Sequence, residues 1–295
     1  MTLAATAHLV ASAAEAHAAV LAFNAVTLEH AEGIAEGAER AGVAAVIQIS
    51  ENTVKFHGGR FAPLASACTQ IARSSAAPLA VHLDHFQDEA LIAEAVTSAE
   101  QLGITSIMID AAHLPYQHNV DRTRSFAQQA RTAGLWVEAE LGEIGGKGHE
   151  AHAPNARTDP AEAVRFVEQT GVDGLAVAVG STHAMTTREA DLDIALIREL
   201  AEHLAIPLVL HGSSGIPDDQ LRQAVDAGIR KVNVGTALNA AYTAAVRTTL
   251  SADPVKPDPR PYLAAGRRAI ADTVADLCQA VASRQAASAG PGDVR

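Results

Sequence analysis

Between residues 19 and 234 the chain alternates, without a break in order, between short apolar runs and longer stretches of helical period. Candidate strands lie at 19–24, 43–49, 79–84, 104–110, 135–141, 174–179, 207–210 and 231–234. Each is a near-continuous apolar run bounded by turn residues, the pattern of parallel strands covered on both faces. Between them, stretches such as 27–41, 88–102, 160–170, 191–204 and 217–227 repeat apolar residues at every third and fourth position, as amphipathic helices do. Punctuation agrees with this. Gly42, Gly103, Gly134, Gly171 and Gly228 each stand just before a strand, where glycine can take the left-handed conformation that closes a helix. Thr158-Asp159-Pro160 places a cap before a first-turn proline. Strict βα alternation demands a parallel sheet, and eight units close it more readily than they leave it open. The expected fold is a single α/β domain, a (β/α)8 barrel over 1–252. It is followed by a proline-rich crossing and C-terminal helix over 253–283, packed on the barrel or on a neighbouring subunit. A tail at 284–295, rich in Gly, Ser and Ala, is expected to be disordered.

Composition sets the material for such a core. Of 295 residues, 48% are hydrophobic but only 3% aromatic, so Ala, Val, Leu and Ile must fill the barrel. No apolar run approaches the roughly 20 residues of a membrane span. The segment from Met1 to Ala18 is interrupted by His8, Glu15 and His17 and lacks a basic start, which argues against a secretion signal. Cys68 and Cys278 offer no disulfide framework and fit a reducing, cytoplasmic setting. Lys and Arg number 22 against 34 Asp and Glu, a net −12 spread along the chain, which disfavours nucleic acid as a partner.

Barrel closure would bring the strand ends to one mouth, and there the polar residues collect. His82, Asp84 and His85 end the third strand, His183 follows the sixth, and His211 follows the seventh. Three neutral imidazoles leave Zn²⁺ one open position, the arrangement of a catalytic site. Asp84, beside a ligand, suits acid–base work; its bland alternative is a cap for the helix starting near Asp88. Asp110, Glu138 and Glu140 end the fourth and fifth strands, serving either a second metal position or a structural hydrogen-bond network, since carboxylates inside parallel strands are costly otherwise. The turns His211-Gly212-Ser213-Ser214-Gly215 and Asn233-Val234-Gly235-Thr236 follow strands seven and eight. Small residues there let backbone N–H groups approach a phosphate. A long Gly-rich segment from Gly142 to Asn155 reads as a lid or an ordinary exposed loop.

These motifs, taken with Gln48-Ile49-Ser50, Met108-Ile109-Asp110, Thr170-Gly171-Val172-Asp173 and Lys231-Val232-Asn233-Val234, resemble those of the class II, metal-dependent ketose-bisphosphate aldolases. The likeness runs from Ala22-Phe23-Asn24 to Asp258-Pro259-Arg260, nearly the whole chain. It implies a cytoplasmic zinc-dependent lyase that cleaves a phosphorylated ketose, of fructose- or tagatose-1,6-bisphosphate type, to dihydroxyacetone phosphate and an aldehyde. One Zn²⁺ per subunit would be held by His85, His183 and His211, with Asp110 and Glu140 at an alternative metal position. Asp84 would move the proton on the C4 oxygen. Gly212, Ser214, Asn233 and Thr236 would hold the dihydroxyacetone-phosphate half, with Asn24, Ser50 and Arg260 nearby. The resemblance also implies a monovalent cation, Na⁺ or K⁺, near the phosphate. The 258–260 segment would complete a neighbouring subunit's site, implying a homodimer or homotetramer.

The chain departs from that pattern in three places. Where family lids carry Glu two residues after Gly-Gly, this chain has Gly148, and the nearest carboxylate is Glu150. His183 is followed by Ala184 and Met185 rather than Gly, and Asp110 by Ala111-Ala112 rather than Gly-Ser. Glu150 is accordingly the candidate donor to the enediolate carbon. No lysine ends a strand in these motifs, which leaves a Schiff-base route without an evident nucleophile. The alternatives are a same-family aldolase acting on another phosphorylated keto-sugar or keto-sugar acid, a zinc hydrolase, and a non-catalytic barrel that binds metal and sugar phosphate.

Overall fold

The computed structural model describes residues 3–142, 157–181, 190–255 and 257–282. The segments holding His183 and Glu150, and the tail beyond residue 282, lie outside them.

Eight parallel strands close in chain order: β1 (Val20–Asn24), β2 (Ala45–Ser50), β3 (Leu79–Phe86), β4 (Ser106–Ile109), β5 (Trp136–Leu141), β6 (Gly174–Val177), β7 (Leu208–Leu210) and β8 (Ile229–Val234), with β8 pairing back onto β1. This is the (β/α)8 barrel that the alternation predicts. The surrounding helices are α1 (Thr6–Glu15), α2 (Leu28–Ala41), α3 (Glu51–Phe56), α4 (Ala62–Ser74), α5 (Glu89–Leu102), α6 (Tyr116–Thr132), α7 (Pro160–Thr170), α8 (Ile194–His203), α9 (Asp218–Ala227), α10 (Thr236–Ala252) and α11 (Arg260–Ala282). Gly42, Gly103 and Gly171 take the left-handed conformation at the ends of α2, α5 and α7. Asp88 and Asp159 cap α5 and α7 by accepting backbone N–H bonds.

Side-chain alternation divides the barrel into two cores. Outward residues such as Phe23, Ile47, Ile49, Leu83 and Ile107 join the helices in one cluster. Inward residues Val20, Ala22, Val46, Ala80, Trp136, Ala176 and Val209 form a second, together with Leu9 and Val10 of α1. Helix α1 therefore stoppers the N-terminal end of the barrel. Burying Leu9 and Val10 stabilises that docking by roughly 1.5–3 kcal/mol each. Thr6 adds hydroxyl contacts to Thr105 at 2.8 Å and Ser106 at 2.7 Å. The large inward ring of Trp136 fits because Gly174 faces it; a Cβ there would lie 2.5 Å from the indole.

The last helix is held by a similar omission. Gly33 and Gly37 of α2 lie under Ile270 and Val274 of α11, where added Cβ atoms would come within 2.8 Å and 2.6 Å of their neighbours. Helix α11 thus packs on α2 and α10 of its own chain.

Above the inner apolar layer, the same inward positions turn polar. Asn24, Gln48, His82, Asp84, Asp110, Glu138, Glu140, Lys231 and Asn233 stand above that layer, and all but Asn24 are buried.

Candidate active site

One irregularity shapes this mouth. Along β3 and β4, Leu83 pairs with Ile107 but Phe86 pairs with Ile109, so β3 carries one extra residue. Such a bulge breaks the alternation of faces. Leu83 and Phe86 both point out into the helical cluster, while consecutive residues Asp84 and His85 both serve the mouth. His85 takes φ +54°, a left-handed conformation that costs a non-glycine residue roughly 1–2 kcal/mol. The sequence places His85 just beyond the strand; it lies within it, and the bulge is what turns it inward.

His85 Nδ1 meets Asp110 Oδ2 at 2.9 Å, and its Nε2 lies 3.7 Å from Asp84 Oδ1. His211, immediately after β7, sets Nε2 against Glu138 Oε1 at 2.8 Å and turns Nδ1 toward Glu140 Oε2 at 3.4 Å. The two imidazoles approach edge to face, with centroids 4.7 Å apart. His85, Glu140 and His211 each offer one donor atom, all within 4.8 Å of one another. Each histidine has a buried carboxylate on its other nitrogen, the pairing that fixes tautomer and ring direction in metal sites. The donor set therefore fits a divalent transition metal such as Zn²⁺.

Asp84 is held by two amides. Asn24 Nδ2 donates to Oδ2 at 3.0 Å, and Asn233 Nδ2 reaches Oδ1 at 3.4 Å. Asn24 is in turn fixed by Gln48 Nε2 at 2.9 Å. The cap of α5 is Asp88, which receives the N–H groups of Ala90 and Leu91. The cap reading of Asp84 is overturned, because the cap sits four residues on, where the helix starts. The loop between them is pinned by Glu51, whose carboxylate accepts the N–H groups of Gln87 and Asp88 at 2.6 Å and 2.8 Å.

The two carboxylates of β5 separate in role. Glu140 faces His211 Nδ1 and joins the metal-type cluster, whereas Glu138 belongs to a buried network beneath it. Lys231 Nζ, wholly buried, donates to Glu138 Oε2 at 2.8 Å, Asn233 Oδ1 at 2.6 Å and Gln48 Oε1 at 3.4 Å. Asp110 lies behind His85, bonded also to Gln87 Nε2 at 3.2 Å.

Electrostatics follow from this layering. Burial and the Lys231 charge push the His82 imidazole down to about 3. Burial opposes ionisation of Glu138, but Lys231 and His211 outweigh it and hold this carboxyl well below the usual range. His211 is pushed down by burial and more strongly up by Glu138 and Glu140, to about 9.

The anion-type turns sit beside this cluster. Gly212 is left-handed at φ +68° and opens a 3₁₀ turn at Ser213–Gly215. The Ser213 hydroxyl donates to the Asn233 carbonyl, and Ser214 Oγ accepts the Ala237 N–H at 3.1 Å. Thr236 begins α10, whose first turn carries no acidic residue. Ser50 caps α3 through Thr53 N–H at 3.2 Å. Arg260 is 86% exposed and paired with Asp258 at 2.9 Å.

Two parts of this arrangement are absent from the sequence reading. Lys231 appears there only within a motif, and α1 only inside the segment from Met1 to Ala18 weighed as a secretion signal. The available signals were parity, since Lys231 shares an inward face with Asn233, and the apolar pair Leu9-Val10.

Fold and site together define a β/α-barrel protein with a histidine–carboxylate centre at the C-terminal mouth. Residues 4–286 match the family model described as fructose-bisphosphate aldolase class-II. A Bacillus subtilis (strain 168) protein named "Probable fructose-bisphosphate aldolase" is 35% identical over 276 residues, covering 93% of this chain and 95% of that one. The YdjI aldolase of Escherichia coli K12 superposes with a TM-score of 0.79 at 27% identity, over 96% of this chain and 98% of that chain. Fructose-bisphosphate aldolase from Campylobacter jejuni, at 19% identity, shares the fold, with a TM-score of 0.81 over 95% of each chain. The chain belongs to the class II fructose-bisphosphate aldolase family. It is accordingly an aldolase, a carbon–carbon lyase.

Proposed function

We propose that the protein is a zinc-dependent aldolase. It reversibly cleaves a phosphorylated ketose, of fructose- or tagatose-1,6-bisphosphate type, to dihydroxyacetone phosphate and an aldehyde. The observation that carries this reading is the convergence of His85, Glu140 and His211 donors within 4.8 Å, each histidine backed by a carboxylate, beside the fixed carboxylate of Asp84. His85 and His211 would hold the ion together with His183, which lies outside the described residues. Glu140 would be an added ligand or part of a second position, and Asp110 would orient His85. A bound Zn²⁺ supplies Lewis-acid stabilisation of the negative charge that retro-aldol cleavage leaves on the ketose oxygens.

The remaining work falls to the chain. Asp84 accepts the C4 hydroxyl proton as the C3–C4 bond breaks. Asn24 and Asn233, each aiming an N–H at it, hold it in orientation. The dihydroxyacetone-phosphate half is taken by the turn at Gly212 and Ser214, by Asn233 and by the start of α10 at Thr236. A positive helix end and left-handed glycine suit an anion there. Proton return to the enediolate carbon is assigned to Glu150, outside the described residues. A cytoplasmic location and a homodimeric or homotetrameric assembly belong to the same reading, as does a monovalent cation at the phosphate.

Chelation should abolish cleavage and zinc add-back restore it; activity that survives complete demetallation refutes the zinc reading. Steady-state rates across fructose-, tagatose- and deoxy-keto-gluconate phosphates identify the substrate.

A further inference from the structure

The barrel buries a lysine that the proposed chemistry leaves unassigned. Lys231 Nζ has three N–H donors, and the structure supplies three oxygen acceptors: Glu138, Asn233 and Gln48. Two of these continue upward into the site. Glu138, anchored by the lysine through Oε2, presents Oε1 to His211 Nε2 at 2.8 Å. Asn233, anchored through Oδ1, turns its Nδ2 upward, toward Asp84 Oδ1 at 3.4 Å. One ammonium thus orients a candidate metal ligand and an amide that steadies the candidate proton acceptor.

From this geometry we infer that Lys231 is a positioning residue of the active site. Through Glu138 it holds His211 with Nδ1 facing the metal position, and through Asn233 it fixes the amide beside Asp84. The inference rests on the metal reading of this site. Lys231 touches no reacting atom in this role, and its three bonded acceptors argue against it as the amine of a Schiff base. A charge buried for stability alone would be a poor choice here, since apolar replacements of such pairs are often neutral or stabilising.

The test uses the full-length protein as Lys231→Gln, Glu138→Gln and the double variant. Zinc affinity is measured by chelator competition, and the visible absorption of the Co²⁺-loaded protein reports geometry around the metal. Loss of an outer partner of a ligating histidine weakens metal binding about 10- to 100-fold. Both single variants should show that loss together with shifted Co²⁺ bands. Because they act in one chain, the double should lose about as much as either single, not the product. If the singles fail to fold, the charge-balanced double decides. Positioning predicts that it folds yet stays at least tenfold weaker for zinc. Folded variants with wild-type zinc affinity and an unchanged Co²⁺ spectrum overturn the inference, as does a double variant that recovers both. The zinc proposal fails in a different place, in a wild-type protein active without metal.

Discussion

Replacing Asp84 by Asn tests the proposed chemistry most directly, because the side chain keeps its shape and loses only its basicity. The structure sets the expected side effects. Both neighbouring amides are locked, Asn24 by Gln48 and Asn233 by Lys231, so neither can flip to greet an NH₂ group. The new carboxamide would place its oxygen toward Asn24, the 3.0 Å contact, and its NH₂ toward Asn233, at 3.4 Å. That donor–donor contact costs about 1–3 kcal/mol of stability, a loss of several degrees in Tm. The rate effect should be larger. Removing a positioned general base costs about 10²- to 10⁴-fold, or roughly 3–5.5 kcal/mol of barrier. Cleavage would be followed by coupling the triose-phosphate product to NADH oxidation, with zinc content and thermal melting measured on the same sample. A folded, zinc-loaded Asp84→Asn protein with kcat within tenfold of wild type would refute the assignment of Asp84 as base.

Other outcomes follow from the buried charges and the close packing. The metal-free protein should be most stable near pH 6.5. His82, depressed to about 3 by burial and Lys231, stays neutral in the fold, so stability falls as pH drops below 6.5, by up to about 1.4 kcal/mol per unit. His211, raised to about 9 by its two glutamates, contributes below 6.5 and loses that contribution as pH rises through 9. Melting curves across pH should show both limbs. Added zinc, which takes the place of the His211 proton, should remove the alkaline one, and a flat profile contradicts this layering. Gly37→Ala would drive a Cβ to 2.6 Å from Val274. Such overpacking costs about 1–3 kcal/mol, so Tm should fall by about 2–5 °C with zinc affinity unchanged; an unaltered melt would show that α11 yields freely. Borohydride added with dihydroxyacetone phosphate should leave activity intact, since Lys231 is bonded to three acceptors; covalent inactivation at Lys231 would reopen the Schiff-base route.

The barrel was legible because each of its strands is a local statement. A parallel strand buried on both faces has to be a short apolar run, and Gly42, Gly103 and Gly171 mark helix ends through backbone conformations that few other residues take. Closure into a ring then required only the count of eight. The candidate site was legible for a related reason: His85, Asp110, Glu140 and His211 are costly residues to place at the ends of apolar strands, and chemistry repays that cost.

What the sequence could not supply were relations between distant strands. The extra residue in β3 exists only relative to its pairing with β4, so nothing along β3 announces that Asp84 and His85 will share a face. Glu138 and Glu140 have the same inward parity, and only the shape of the closed barrel decides that one meets Lys231, 93 positions away, while the other faces His211. The seat of α1 against Thr105 and Ser106, and of α11 on α2, likewise depends on gaps left by side chains from several elements. Local propensity and burial cost are properties of a segment, and the sequence by itself determined them. Which buried charge neutralises which is a property of distances across the barrel, and only the tertiary structure decided it.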